Sequence, residues 1–150
     1  GGQLPGDALI SDRVVDPTDS SHLWLACPNG VYQSRDAGCT WMLTVHGLPH
    51  RHVRRLAVAC ERPSVVYCTL RSPPGVSPWQ GGVYRSEDGG NTWSERSTGL
   101  RKTVGTAGAD PNLTANVDRI AVDPCAPGRL VIGTAGNAAF TTDLPSAGSR

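Results

Sequence analysis

Lysine, phenylalanine and methionine each occur once in this 150-residue chain, as Lys102, Phe140 and Met42, and aromatic residues make up only 5% of it. An excess of charge is also missing: the net charge is +1, with 18% charged residues. That balance excludes the clustered basic surface of a nucleic-acid-binding domain. No apolar run approaches the 18 residues a helical membrane span needs, and no basic stretch followed by an apolar one opens the chain as a leader would. None of the five cysteines (Cys27, Cys39, Cys60, Cys68 and Cys125) stands in a C-x-x-C pair. Their odd number leaves at least one unpaired within the chain. Cys60 and Cys68 flank one hairpin and would bridge it in an oxidising compartment if their Cβ atoms came within about 4.5 Å. The competing reading makes all five small, half-buried residues of strands and turns.

What is abundant is glycine and proline, 18 and 12 residues, as befits many short strands and turns. Thirteen arginines stand against the one lysine, which points to a GC-rich coding sequence. The dominant feature is a repeat. Ser34-Arg35-Asp36-Ala37-Gly38-Cys39-Thr40-Trp41 and Ser86-Glu87-Asp88-Gly89-Gly90-Asn91-Thr92-Trp93 share the pattern S-x-D-x-G-x-T-W at an offset of 52. At the same offset Gly30-Val31-Tyr32 matches Gly82-Val83-Tyr84, and Gly47-Leu48 matches Gly99-Leu100. A period of this length marks stacked supersecondary units.

Three openings align upstream: Arg13-Val14-Val15-Asp16-Pro17, Arg55-Leu56-Ala57-Val58-Ala59 and Arg119-Ile120-Ala121-Val122-Asp123-Pro124. Each precedes a second apolar run, His22-Leu23-Trp24-Leu25-Ala26, Val65-Val66-Tyr67-Cys68-Thr69 or Arg129-Leu130-Val131-Ile132-Gly133, rich in β-branched or aromatic residues and bounded by turn formers. Each unit is therefore predicted to form four strands: the Arg-initiated run, the second run, the Gly-Val-Tyr run and the run that follows Thr-Trp. The intervening Asp88-Gly89-Gly90-Asn91 suits a turn with positive φ, closed by an Asp side chain accepting bonds from amides further on. The expected architecture is all-β, an incomplete propeller of about two and a half to three four-stranded antiparallel blades. Blade one spans 12–49, blade two 50–103 with an inserted loop at 71–80, and a partial blade three 116–150. The third unit lacks a Thr-Trp motif, the first residue is Gly1, and a ring typically needs four to eight blades, so the chain reads as a segment of a longer propeller.

These residues resemble the Asp-box, or bacterial neuraminidase repeat, family of β-propellers. The fuller pattern, Val-Asp-Pro followed by Gly-Val-Tyr-x-Ser-x-Asp-Gly-Gly-x-Thr-Trp, is most similar to its xyloglucanase, photosystem II assembly-factor and sortilin-like members. The resemblance implies that Ser34, Asp36, Gly38, Thr40, Trp41 and Ser86, Asp88, Gly90, Thr92, Trp93 are structural turns at the blade periphery. It does not select an activity, because catalytic and non-catalytic members share the motif.

Identical placement in two repeats gives Asp36 and Asp88 one structural duty, so no acid/base pair and no catalytic residue is assigned. Arg13, Arg55 and Arg119 recur on what would be innermost strands. Sialidases, in the same superfamily, hold a carboxylate with three arginines, which makes these candidate binding residues beside the plainer reading as solvated strand ends. No sialidase Phe/Tyr-Arg-Ile/Leu-Pro signature accompanies them. His46, His50 and His52 do not match a zinc spacing, and no metal or cofactor is expected. The insertion at 71–80 breaks the repeat and carries Trp79 on a Pro-rich backbone, a candidate contact for a glycan or a protein. The expected function is non-catalytic ligand or partner recognition in a secreted or envelope protein of a bacterium, with neighbouring blades as its first partners. The alternative is a fragment of a xyloglucanase-like or sialidase-like glycoside hydrolase.

Overall fold

The computed structural model describes residues 2–4, 6, 8–71, 81–96, 117–123, 126–134 and 139–143. Trp79, with residues 72–80 of the insertion, lies outside them, as do Gly99, Leu100 and Cys125. Among the described residues, eleven strands form three antiparallel meanders. β1 (Asp12–Val15), β2 (Leu23–Cys27), β3 (Gly30–Ser34) and β4 (Met42–Thr44) make the first sheet in chain order. β5 (Val53–Val58), β6 (Val66–Leu70), β7 (Gly82–Ser86) and β8 (Ser94–Glu95) make the second. β9 (Val117–Asp123), β10 (Ala126–Thr134) and β11 (Ala139–Asp143) make the third. The chain is thus built of propeller blades, all β, as its repeat predicts.

Strand alternation explains how the blades stack. Trp24, Ala26 and Val31 of the first sheet meet Leu56, Val66, Cys68, Leu70 and Tyr84 of the second in one core. The opposite face of the second sheet sends Ala57, Val65, Tyr67 and Val83 against Val117, Leu130 and Ile132 of the third. A strand with both faces covered reads as a continuous apolar run, which is why β6 and β7 are buried at every position. The outer face of the first sheet holds Leu25, Cys27 and Tyr32, against which Leu4, Ala8 and Trp41 pack. Tyr32 and Trp41 on the first sheet, and Tyr84 and Trp93 on the second, therefore occupy matching faces.

Cys27, Cys39, Cys60 and Cys68 are free thiols. The Cys60–Cys68 bridge does not form, because alternation turns Cys68 into the core between the first two sheets while Cys60 stays exposed in the β5–β6 turn. Burial pushes the Cys68 thiol well above its ordinary range, so it is unreactive packing material.

The two repeated turns have nearly the same geometry. In the first, Thr40 donates its amide to Asp36 Oδ1 at 2.8 Å and its hydroxyl to Oδ2 at 2.6 Å, and the Ser34 hydroxyl reaches Oδ1 at 2.8 Å. In the second, Thr92 makes the same pair to Asp88 at 2.9 and 2.6 Å, and Ser86 donates at 2.7 Å. Each serine oxygen in turn accepts the glycine amide, Gly38 at 2.8 Å and Gly90 at 2.7 Å. Gly90 sits at φ +95°, and a Cβ there would lie 2.9 Å from Trp24 Nε1, so glycine is required for both conformation and space.

The second turn also locks the blades together. Trp24, fully buried on β2, donates Nε1 to the Gly89 carbonyl at 2.8 Å, and Gln33 Nε2 donates to Asn91 Oδ1 at 2.8 Å. His22 lies over Trp24 with ring centroids 3.9 Å apart and completes the junction with Gln33 at 3.4 Å and Asp16 at 3.6 Å. The Gly47 backbone abuts the Trp93 carbonyl, where any Cβ would collide, so the first Gly-Leu marks a close crossing between blades.

Two predictions follow from these contacts. Trp24→Phe keeps most of the apolar contact but leaves the Gly89 carbonyl without its donor, and should cost about 1–3 kcal/mol; Trp24→Ala should cost about 3–5 kcal/mol, both read by urea denaturation. Donation from the Thr40 hydroxyl and amide and from Ser34 holds the Asp36 carboxyl at about 2. Burial pushes Asp88 up, but the hydroxyls of Thr92 and Ser86 and the amides of Thr92 and Asn91 outweigh it and also hold that carboxyl at about 2. Because the folded values lie below the ordinary 3.8, the stabilisation is complete above that pH and is lost as pH falls towards 2. The thermal midpoint should therefore drop between pH 5 and pH 2.5, roughly within that titration window, and the Asp36→Asn, Asp88→Asn double variant should show a smaller drop. An equal drop in both proteins would assign the acid sensitivity to other groups.

Candidate functional site

Strand pairing decides what the three repeated arginines can do. Arg55 lies opposite Thr69, and Arg119 lies opposite Gly133, two equivalent places in their sheets. The equivalent residue of the first sheet, opposite Ala26, is Asp12; Arg13 pairs one step further on with Leu25. Arg13 therefore points to the other face of its strand. The three guanidinium groups do not converge as the sequence alignment suggests, because β1 enters its sheet one residue out of step with β5 and β9. Arg13 and Arg119 are exposed, and among the described residues Arg119 reaches only the Asp118 carbonyl, at 3.3 Å.

Arg55 is committed to structure. Its Nε donates to the Asp118 carbonyl at 2.7 Å and its Nη1 to the Ser11 carbonyl at 2.8 Å, tying the inner strand of the second blade to those on either side. Asp12 reinforces the same junction by accepting the Leu56 amide at 3.1 Å. Carbonyls at the start of a strand have no ladder partner, and a planar guanidinium can serve two of them at once.

Beside this clasp lies a cavity of about 220 Å³ lined by Ser11, His52, Val53, Arg54, Arg55 and Arg71. A bulge shapes it. Val53 pairs with Leu70 and Arg55 with Thr69, so Arg54 is an extra residue with no partner of its own on β6. Such an insertion re-aims the side chains around it. The Arg71 amide donates to the His52 carbonyl at 3.1 Å and carries the chain past the end of β6 along the cavity wall. Arg54 forms an ion pair with Asp118 at 3.4 Å, each about one third exposed, a contact that water screens strongly. Arg54 and Asp12 are not singled out by the sequence, and Arg71 enters it as the first residue of the insertion at 71–80. The available signal was Val53-Arg54-Arg55-Leu56, where two charges in succession interrupt alternation.

Other candidates lie apart. The Asp36 and Asp88 turns belong to the β3–β4 and β7–β8 connections, with their carboxylate oxygens occupied by the bonds given above. His46 contributes backbone, accepting the Trp93 amide at 2.9 Å, and His50 Nδ1 accepts the His52 amide at 3.2 Å. Among the described residues, no three His, Cys, Asp or Glu side chains come together as metal ligands. Asp16 accepts from the Thr18 amide and hydroxyl at 2.8 and 2.7 Å, and Asp123 faces Arg129 at 3.8 Å, so both serve strand ends. Among the described residues, no helix is long and apolar enough to cross a membrane.

No protein-family model matches the chain. A curated xyloglucanase from a Paenibacillus species is 30% identical over 75% of this chain, which spans 13% of that enzyme's length. Among solved structures, the GH74 xyloglucanase of Xanthomonas campestris superposes with a TM-score of 0.69 at 19% identity, covering 95% of this chain and 20% of that one. YCF48 from Cyanidioschyzon merolae superposes with a TM-score of 0.64 at 19% identity, over 93% of this chain and 38% of its own. The chain thus spans a small part of the proteins it matches, and what it shares with them is the β-propeller fold.

Proposed function

We propose that this chain is a run of Asp-box blades that scaffolds and recognises a ligand, without catalysing a reaction, within a larger secreted or envelope propeller protein. The blade limits are those read from the repeat, 12–49, 50–103 and 116–150, with neighbouring blades as the immediate partners. One observation carries the reading: the two repeated carboxylates, Asp36 and Asp88, are saturated by donors of their own turns. Glycoside hydrolysis asks for two carboxyl groups in different environments, about 5 Å apart for retention and roughly 6.5–9.5 Å apart for inversion. Asp36 and Asp88 instead share one environment and are both held at about 2, too low for a general acid near neutrality. Recognition then falls to the blade ends, where the Arg54–Arg71 cavity opens, and to the insertion bearing Trp79.

The similarity to xyloglucanases supports a second reading, in which the whole protein is a glycoside hydrolase and these blades form part of its frame. Assays with xyloglucan and sialosides separate the two. The 150-residue chain is expected to show no turnover. A longer protein that hydrolyses xyloglucan, and loses activity only through acidic residues outside this chain, would establish the second reading for the whole while leaving the blades non-catalytic. Turnover abolished by one Asp or Glu substitution within the chain would overturn the proposal.

A further inference from the structure

We infer that the cavity at the start of β5 is a binding site for a carboxylate monoanion, held by Arg54 and Arg71 with His52 beside them. The inference rests on the recognition reading above and names the ligand chemistry. Three arginines line one space of about 220 Å³, enough for a single sugar ring or one amino-acid residue. They are not equivalent. Arg55 has its donors on Ser11 and Asp118 carbonyls and serves as the rigid back wall. Arg54, placed by the β-bulge, holds Asp118 through a partly solvated contact of 3.4 Å that an incoming oxyanion can replace. The exposed Arg71 guanidinium has no hydrogen-bond or ion-pair partner among the described residues, while its backbone is anchored to His52. One adaptable guanidinium and one with no partner among the described residues, beside a fixed cationic wall, provide the paired donors that carboxylates accept.

Charge selects the valence. Asp118 pairs with Arg54 at 3.4 Å and offsets part of the positive charge of the three arginines, while Asp12 is taken up by the Leu56 amide. A planar, singly charged carboxylate suits paired guanidinium donors beside that aspartate better than a doubly charged phosphate, whose second charge would meet Asp118. The bulge recurs in the third blade, where Asp118 is the extra residue between Val117 and Arg119, so the irregularity belongs to the repeat and what is particular to the second blade is the guanidinium it presents.

Titration calorimetry of the full 150-residue chain with four probes tests this. Glucuronate should bind saturably and glucose, its neutral counterpart, should not; N-acetylalanine against its methylamide asks whether a peptide end supplies the carboxylate instead. Saturable binding of either acid supports the site, and the tighter one identifies the source. Arg54→Gln and Arg71→Gln should each weaken binding about tenfold. Arg13→Gln, exposed on the first blade, should leave it unchanged, with circular dichroism verifying that each variant folds. Equal affinity for neutral and acidic probes, no saturation with either acid, or indifference to both arginine substitutions would overturn the site, as would tighter binding of inorganic phosphate. These results are independent of turnover: loss of carboxylate binding leaves the non-catalytic reading standing, and hydrolysis would remove that reading without touching the binding data.

Discussion

Burial of the second sheet on both faces is the constraint from which the rest of this structure follows. The second sheet has no solvent face in its middle strands: Leu56, Cys68 and Tyr84 turn one way, Ala57, Tyr67 and Val83 the other. Apart from Gln33, Thr69 and Arg85, buried within β3, β6 and β7, polar side chains of the inner strands collect at strand ends and turns, and those ends must satisfy their own backbone groups. The repeated turns do so with side chains two and four residues apart. Asp36 and Asp88 each gather a serine hydroxyl, a threonine hydroxyl and the threonine amide, so the hairpin tip closes without help from solvent or from another sheet.

A self-satisfied turn leaves its outward carbonyls free for other work. Gly89 presents one to Trp24, and Asn91 presents its side-chain oxygen to Gln33, so a locally determined loop becomes the contact that sets one blade against the next. Apolar stacking alone is tolerant of sliding; two directed bonds at the outer end and the Arg55 clasp at the inner end are not. The blades are thus registered at both extremities by polar contacts while apolar area between them supplies the bulk of the stability.

The repeat made the strands, their antiparallel order and the turn chemistry legible, because these depend on residues close together in sequence. What escaped depends on register between distant residues. Aligning Arg13 with Arg55 and Arg119 is natural by letter, but the pairing of β1 with β2 places Asp12 in that position and reverses the side on which Arg13 emerges. A slip of one residue is invisible to composition and decisive in a pleated strand. The same alternation separates Cys68 from Cys60, which sequence distance alone had left as a possible bridge. Arg54 was hidden for a related reason: a bulge is defined by two strands, and only Val53-Arg54-Arg55 betrays one of them.

The division of labour among the arginines shows how a repeat acquires a site without losing its frame. Equivalent places in the blades are filled differently: Arg55 answers to the carbonyls of Ser11 and Asp118, Asp12 to the Leu56 amide, and Arg119 stays exposed. The bulge itself belongs to the repeat, since Asp118 is the extra residue of β9 as Arg54 is of β5, and only the side chain it presents changes. Arg54 there, and Arg71 at the end of β6, stand alongside the fixed Arg55 wall. Binding chemistry accordingly collects where the residues on a shared frame differ from blade to blade, next to the contacts that keep the frame rigid, an arrangement that limits the ordering cost of seating a ligand.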